Sequence, residues 1–89
     1  MRAIVTVNGK DKVGIIATVC TLLMLHNVNV LDISQTILQG YFTMTMLVDP
    51  SASDIPFAEL VTELDRAGEK LHMSIRVQRE DIFDAMYKV

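Results

Sequence analysis

"VNVLDISQTILQGYFTMTMLVD", residues 28–49, holds two β-type runs parted by Gly40. The first is rich in Val, Ile and Thr. In the second, Phe42, Met44, Met46 and Val48 alternate with Tyr41, Thr43, Thr45 and Leu47. Alternation with period two beside a turn residue reads as a hairpin, strands two and three.

Upstream, RAIVTVN (residues 2–8) sets Ala3, Val5 and Val7 against Arg2, Ile4 and Thr6, as an amphipathic strand requires. Apolar residues then recur at Val13, Ile16, Cys20 and Leu23, flanked by Ile15, Val19, Leu22 and Leu25, which predicts a helix from about Val13 to His26 with a wide apolar stripe. Ala17 and Met24 widen it further, enough to touch a second subunit as well as the sheet.

Downstream, DPSASDIP (residues 49–56) breaks the strand; Ser53 or Asp54 can cap the next helix and Pro56 suits its first turn. Helix two carries Phe57, Leu60, Val61, Leu64, Ala67 and Leu71 on one side, with Glu59, Glu63, Asp65, Arg66, Glu69 and Lys70 mostly toward water. HMSIRVQ (residues 72–78) alternates again as strand four. The remaining tail has Ile82, Phe83 and Met86 at helical spacing behind an acidic start, which predicts a short amphipathic C-terminal helix.

The order strand, helix, strand, strand, helix, strand is the split βαβ pattern of ferredoxin-like folds. The expected architecture is an α+β, two-layer βαββαβ sandwich: a four-stranded antiparallel sheet, two helices on one face, and the C-terminal helix. The other face carries Thr6, Asp32, Ser34, Thr36, Thr43, Thr45, Ser74 and Arg76, a polar surface fit for water.

At 89 residues the chain makes one domain, which hides only roughly 60–65% of its unfolded surface. With 51% hydrophobic residues it carries more apolar surface than so small a domain easily hides, so a homodimer or higher homo-oligomer is expected. A net charge of -3 without a Lys/Arg cluster argues against nucleic acid and anionic membranes as partners. No secretory signal precedes strand one and no apolar segment spans a bilayer, which points to the cytoplasm.

Chemistry-bearing constellations are scarce. Cys20 is single and lies in an apolar run, as a core thiol does. His26 and His72 each stand alone near a helix end, where a histidine more often helps to terminate the helix than to bind an ion. No Ser/His/Asp or Cys/His set is evident, and the first loop offers lysines where a phosphate clamp would want arginine. Tyr41 and Phe42 lack the basic company of an RNA-stacking sheet. No enzyme, metal or cofactor is expected.

There remains the turn NGKDKVGII, residues 8–16, a glycine-containing loop entering a helix. Unpaired amides and the positive dipole end at a helix start attract a carboxylate or phosphate. Asp11 fits a second role there, capping the helix itself. Loop chemistry leaves both readings open.

The element order, that turn, HNVNVLDISQ (residues 26–35) and the ending REDIFDAMYKV (residues 79–89) resemble the ACT domain, a small amino-acid-sensing regulatory module. The similarity is greatest to short stand-alone bacterial members related to the glycine cleavage system transcriptional repressor. The resemblance implies an ACT domain over residues 1–79 and a helical extension over 80–89. It implies a ligand site between two subunits, formed by the first loop of one chain and the start of strand two of its neighbour. Asn8, Gly9, Lys10, Asp11, Gly14, Ile15 and Asn29 take the ligand-binding positions. Backbone amides would hold an amino acid's carboxylate, while Asp11 and Asn29 would accept hydrogen bonds from its ammonium group. Val13 stands where the family often has proline, which implies a less preorganised loop, and Asp11 is acidic where some binders carry a neutral amide.

The resulting expectation is a regulatory domain that dimerises through sheet edges or helices, binds an amino acid at the interface and acts on a separate partner protein. The rival is a protein interaction module without a metabolite ligand, using helix one and the C-terminal helix as its adhesive surface.

Overall fold

A computed structural model describes residues 1–10 and 14–81. The elements run β1 (Ala3–Lys10), α1 (Ile15–Leu25), β2 (Asn29–Leu38), β3 (Tyr41–Asp49), α2 (Phe57–Leu71) and β4 (Ser74–Arg79). The sheet order is β2-β3-β1-β4, every neighbouring pair antiparallel. This is the expected ferredoxin-like sandwich. The expected C-terminal helical extension, residues 80–89, lies outside the described residues from 82 onward.

Alternation builds the core. Ala3, Val5 and Val7 of β1 and Phe42, Met44, Met46 and Val48 of β3 are all buried and pack against α1 and α2. Ladder partners share a face, so Val5, Met46 and Ile33 point one way and Thr6, Thr45, Ser34 and Arg76 the other. The hairpin turns on Gln39 and Gly40, with φ of 50° and 82°. Two successive positive φ values make the tight two-residue turn that matches strand twist, and glycine takes the second without strain.

Each helix differs in detail from its sequence reading. The stripe of α1 that enters the core is Ile15, Val19 and Leu23; Ile16 and Cys20 sit on its flank, only partly buried. Nearly the whole helix is apolar, so spacing alone could not fix which face turns inward. For α2, neither Ser53 nor Asp54 caps the helix. Pro56 holds the N-cap position, and Ser53 Oγ instead accepts the Ile55 N–H at 3.3 Å.

Both helices stop in the same way. The Val28 N–H donates to the Leu23 carbonyl and the Asn27 N–H to that of Met24, each at 2.9 Å, with Asn27 at φ 60°. The Met73 and His72 N–H groups repeat this on Gly68 and Glu69, with His72 at φ 56°. These are left-handed exits that return the chain sharply to the sheet. His26 and His72 thus do lie at helix ends, as their positions suggested.

Gly68 sits where α2 crosses β4. A Cβ there would lie 2.7 Å from the Met73 carbonyl oxygen and 3.2 Å from Ile75 Cγ1. Alanine gains about 1 kcal/mol in helix propensity. The obstacle, however, is backbone, which cannot swing aside, and overpacking costs about 1–3 kcal/mol. Gly68→Ala is therefore expected to lower stability by about 1 kcal/mol net, read as a lower urea midpoint at constant slope. A rise in stability would mean that α2 lifts freely from β4.

Candidate functional site at the two ends of the sheet

The residues expected to bind ligand divide into two groups. At one end, Asn8, Gly9 and Lys10 are not turn residues but the last rungs of β1, opposite Thr43, Phe42 and Tyr41. Asn8 is half-buried on the open face, and Lys10 is exposed. Gly9 lies against Met73, whose side chain would collide with any Cβ at this position. Asp11 lies outside the described residues.

Gly14 occupies the N-cap of α1 at φ 87°, and no side chain among the described residues caps the helix. Its carbonyl accepts the Thr18 N–H at 2.9 Å, which starts the helical ladder. The first-turn amides after Gly14 have no intrahelical partner. Ile15 is 2% exposed and belongs to the core, so its contribution to a site is its N–H alone.

Asn29 stands at the opposite end. Lys10 and Leu38 both pair with Tyr41, whereas Asn29 pairs with Asp49, so the full length of β3 separates the two groups. At the strand rise this is roughly 26 Å. One chain cannot bring Asn29 to its own first loop.

The turn ahead of Asn29 is fastened to the β3–α2 loop. His26 Nδ1 donates to Asp54 Oδ1 at 2.9 Å, the His26 carbonyl accepts the Asp54 N–H at 3.2 Å, and Asn27 Nδ2 donates to the Ala52 carbonyl at 3.0 Å. His26 Nε2 lies 3.8 Å from Glu63 Oε2, so neither ring nitrogen addresses Cys20. In the same loop Asp49 accepts the Ser51 hydroxyl at 2.5 Å and the Ser51 N–H at 2.9 Å. The hydroxyl most of all, then the N–H, holds the Asp49 carboxyl below its ordinary pKa by favouring the charged form.

Beside Asn29 opens a shallow cavity of about 510 Å³, bordered by Cys20 and Met24 of α1, Asn27, Asn29, Val30 and Ala52. Of these bordering residues, sequence reasoning attached ligand binding to Asn29 alone. The other residues approach it only because the Asn27 exit folds α1 back over the start of β2. Cys20 is half-buried here, and its expected core role holds in part, since it packs against the core from the flank.

β2 is the outer strand, and apart from half-buried Val30 every residue along it is exposed. α1 barely reaches it. Ile33 and Ile37, which point toward the helix layer, are 42% and 59% exposed, and Leu38 on the open face is 69% exposed. A register shift between Val30 and Asp32 leaves Leu31 as an extra residue. One backbone edge of β2 therefore pairs with β3 and the other faces outward. Among the described residues no three His, Cys, Asp or Glu side chains gather as metal ligands, and no helix is long and apolar enough to cross a membrane.

A two-layer ferredoxin-like module, with bare amides at one end of its sheet and an asparagine-edged cavity at the other, defines the class. Residues 2–78 match the model of the ACT domain, and the chain belongs to that family. It is 56% identical to a UPF0237 protein of Clostridium acetobutylicum and 52% identical to one of Listeria innocua, in both cases over all of both chains. Among solved structures, an ACT domain protein from Streptococcus pneumoniae superposes with a TM-score of 0.81 at 44% identity, covering 98% of each chain. A putative glycine cleavage system transcriptional repressor shares the fold, with a TM-score of 0.74 at 23% identity over 86% of this chain and 44% of that one.

Proposed function

We propose that this ACT domain is a regulatory module that binds an amino acid between two copies of itself and thereby governs a separate partner protein. The observation that carries the reading is the outward edge of β2. If two β2 edges pair antiparallel about a two-fold axis, the Asn29 end of each lies alongside the Leu38 end of the other. Leu38 shares its rung with Tyr41 and Lys10. The partner's Lys10, where its first loop begins, then lies three strand spacings, roughly 14 Å, across the sheet from Asn29. Self-pairing thus unites the two half-sites that one chain holds apart, and it also satisfies an edge otherwise left open.

In such a site, amides at the start of α1 hold the carboxylate of a zwitterion, and the Asn29 side-chain oxygen accepts from its ammonium group. Asp11 serves as a second acceptor. A ligand bound this way acts by stabilising the paired state over the separated one.

The test is thermal unfolding against the twenty amino acids. Ligand at 100 times its Kd adds about 2.7 kcal/mol, which moves the Tm of a domain this small by about 10–20 °C. Asn29→Ala, at an exposed position, is expected to leave the unliganded Tm within about 2 °C, a change of under 0.5 kcal/mol, and to abolish the ligand shift. A shift that survives in Asn29→Ala places the site elsewhere.

A second reading has its own support. α1 contains no charged residue, and Met24 and Leu25 are 69% and 70% exposed. Such an apolar outer face suits a protein partner with no metabolite involved. If no amino acid moves the Tm while Leu25→Glu releases a bound protein, the interaction module is the better account.

A further inference from the structure

We infer that the amino acid recognised here has an uncharged, apolar side chain, such as that of leucine or methionine, seated in the cavity between α1 and the start of β2. This rests on the reading that a zwitterion binds at Asn29, and it adds what decides among zwitterions.

The cavity is bordered by the apolar residues Cys20, Met24, Val28 and Val30, and its border holds no carboxylate, ammonium, guanidinium or imidazole group. Of its two amides, Asn27 commits its Nδ2 to the Ala52 carbonyl. Asn29 is taken up by the ligand's ammonium group. An aspartate carboxylate entering the cavity would lose water and meet no cation, and a serine hydroxyl would find only the Asn27 side-chain oxygen, so neither recovers its hydration in full. A lysine would find no counter-charge. An apolar side chain loses nothing polar and covers surface that otherwise meets water.

At about 510 Å³ the cavity lies within the ~300–1,000 Å³ typical of small-molecule clefts, so leucine and methionine fit without crowding. Met24 is the adaptable element, since an unbranched, mostly exposed thioether can fold down over whichever side chain enters.

Calorimetric titration of the full chain with leucine, methionine, glycine, serine, aspartate and lysine tests this. Leucine or methionine is expected to bind at least about tenfold more tightly than serine or aspartate, as several buried methylenes warrant. Met24→Glu, a change at an exposed position, should weaken leucine about tenfold or more. It should leave glycine, which has no side chain to meet it, within about twofold. Met24→Ala should weaken leucine by a smaller factor in the same direction. Equal or tighter binding of serine, aspartate or lysine overturns the inference while leaving the amino-acid site standing, as does leucine affinity unmoved by both Met24 variants. Absence of binding by every amino acid overturns the site itself and this inference with it.

Discussion

Replacing Phe42 by alanine is expected to cost about 3–5 kcal/mol, the usual range for truncating a buried aromatic side chain. Phe42 is among the largest side chains sealed in the core, 2% exposed, and it shares its rung with Gly9 and Ile37 where β1 runs into the first loop. Of its rung neighbours, Gly9 has no side chain and Ile37 leans into solvent, so only the Met73 side chain beside Gly9 can relax toward the void. Domains have about 5–15 kcal/mol in all, so the variant should be folded but marginal, with a Tm lower by roughly 15–30 °C. Urea unfolding followed by circular dichroism gives the value. Ile37→Ala is the control, expected to cost under about 1 kcal/mol in the separated chain because its side chain is already largely exposed. If the two variants cost the same, the end of the sheet that bears the first loop is not packed as described.

The second large effect concerns association. Wild-type chain is expected to sediment at twice the 10.0 kDa of one copy. The double variant Ile33→Lys, Ile37→Lys should sediment as a single copy at micromolar concentration. Both residues point to the helix-layer side of β2, so two-fold pairing would bring four ammonium groups into one seam. Juxtaposed like charges cost several kcal/mol, at least a hundredfold in the dissociation constant. The fold should survive, since lysine is well tolerated on an exposed edge strand. Any amino-acid-induced rise in Tm should vanish too, although Asn29 and the first loop are untouched. That coupled loss separates a site shared between copies from one housed in a single chain. A variant that still pairs, or that still responds to ligand as a monomer, rejects β2 as the seam.

Much of the fold could be read from alternation. Phe42, Met44, Met46 and Val48 declared a buried face, and Leu60 and Leu64 declared the inner side of α2, because a sheet face or helix stripe that meets a core must be apolar at its own period. Where strands end was less legible. Gly9 and Lys10 look like a turn in isolation, and they are strand because β3 reaches far enough to pair with them, a tertiary fact. Ile15 looked like part of a ligand loop, yet its side chain completes the core. The exposure of β2 was hidden too: Ile33 and Ile37 alternate like core residues, and only the landing positions of the helices show that they are uncovered. For the proposed site, Gly14 drew notice through its loop chemistry and Asn29 only through the family resemblance, and their separation follows from β1 and β2 running in the same direction. His26 and Asp54 are 28 positions apart, beyond any local pattern.

β4, the other border of the sheet, has six residues and presents Arg76 and Arg79, against ten in β2. The two borders are thus unequal in length, charge and apolarity. A copy that docked its β2 on a neighbour's β4 would leave a fresh β2 exposed, and the addition could repeat without end as a fibre. Mutual β2 pairing uses up both adhesive borders at once and terminates the ribbon on two short cationic margins. The asymmetry between the margins would thus favour a finite particle over a growing polymer.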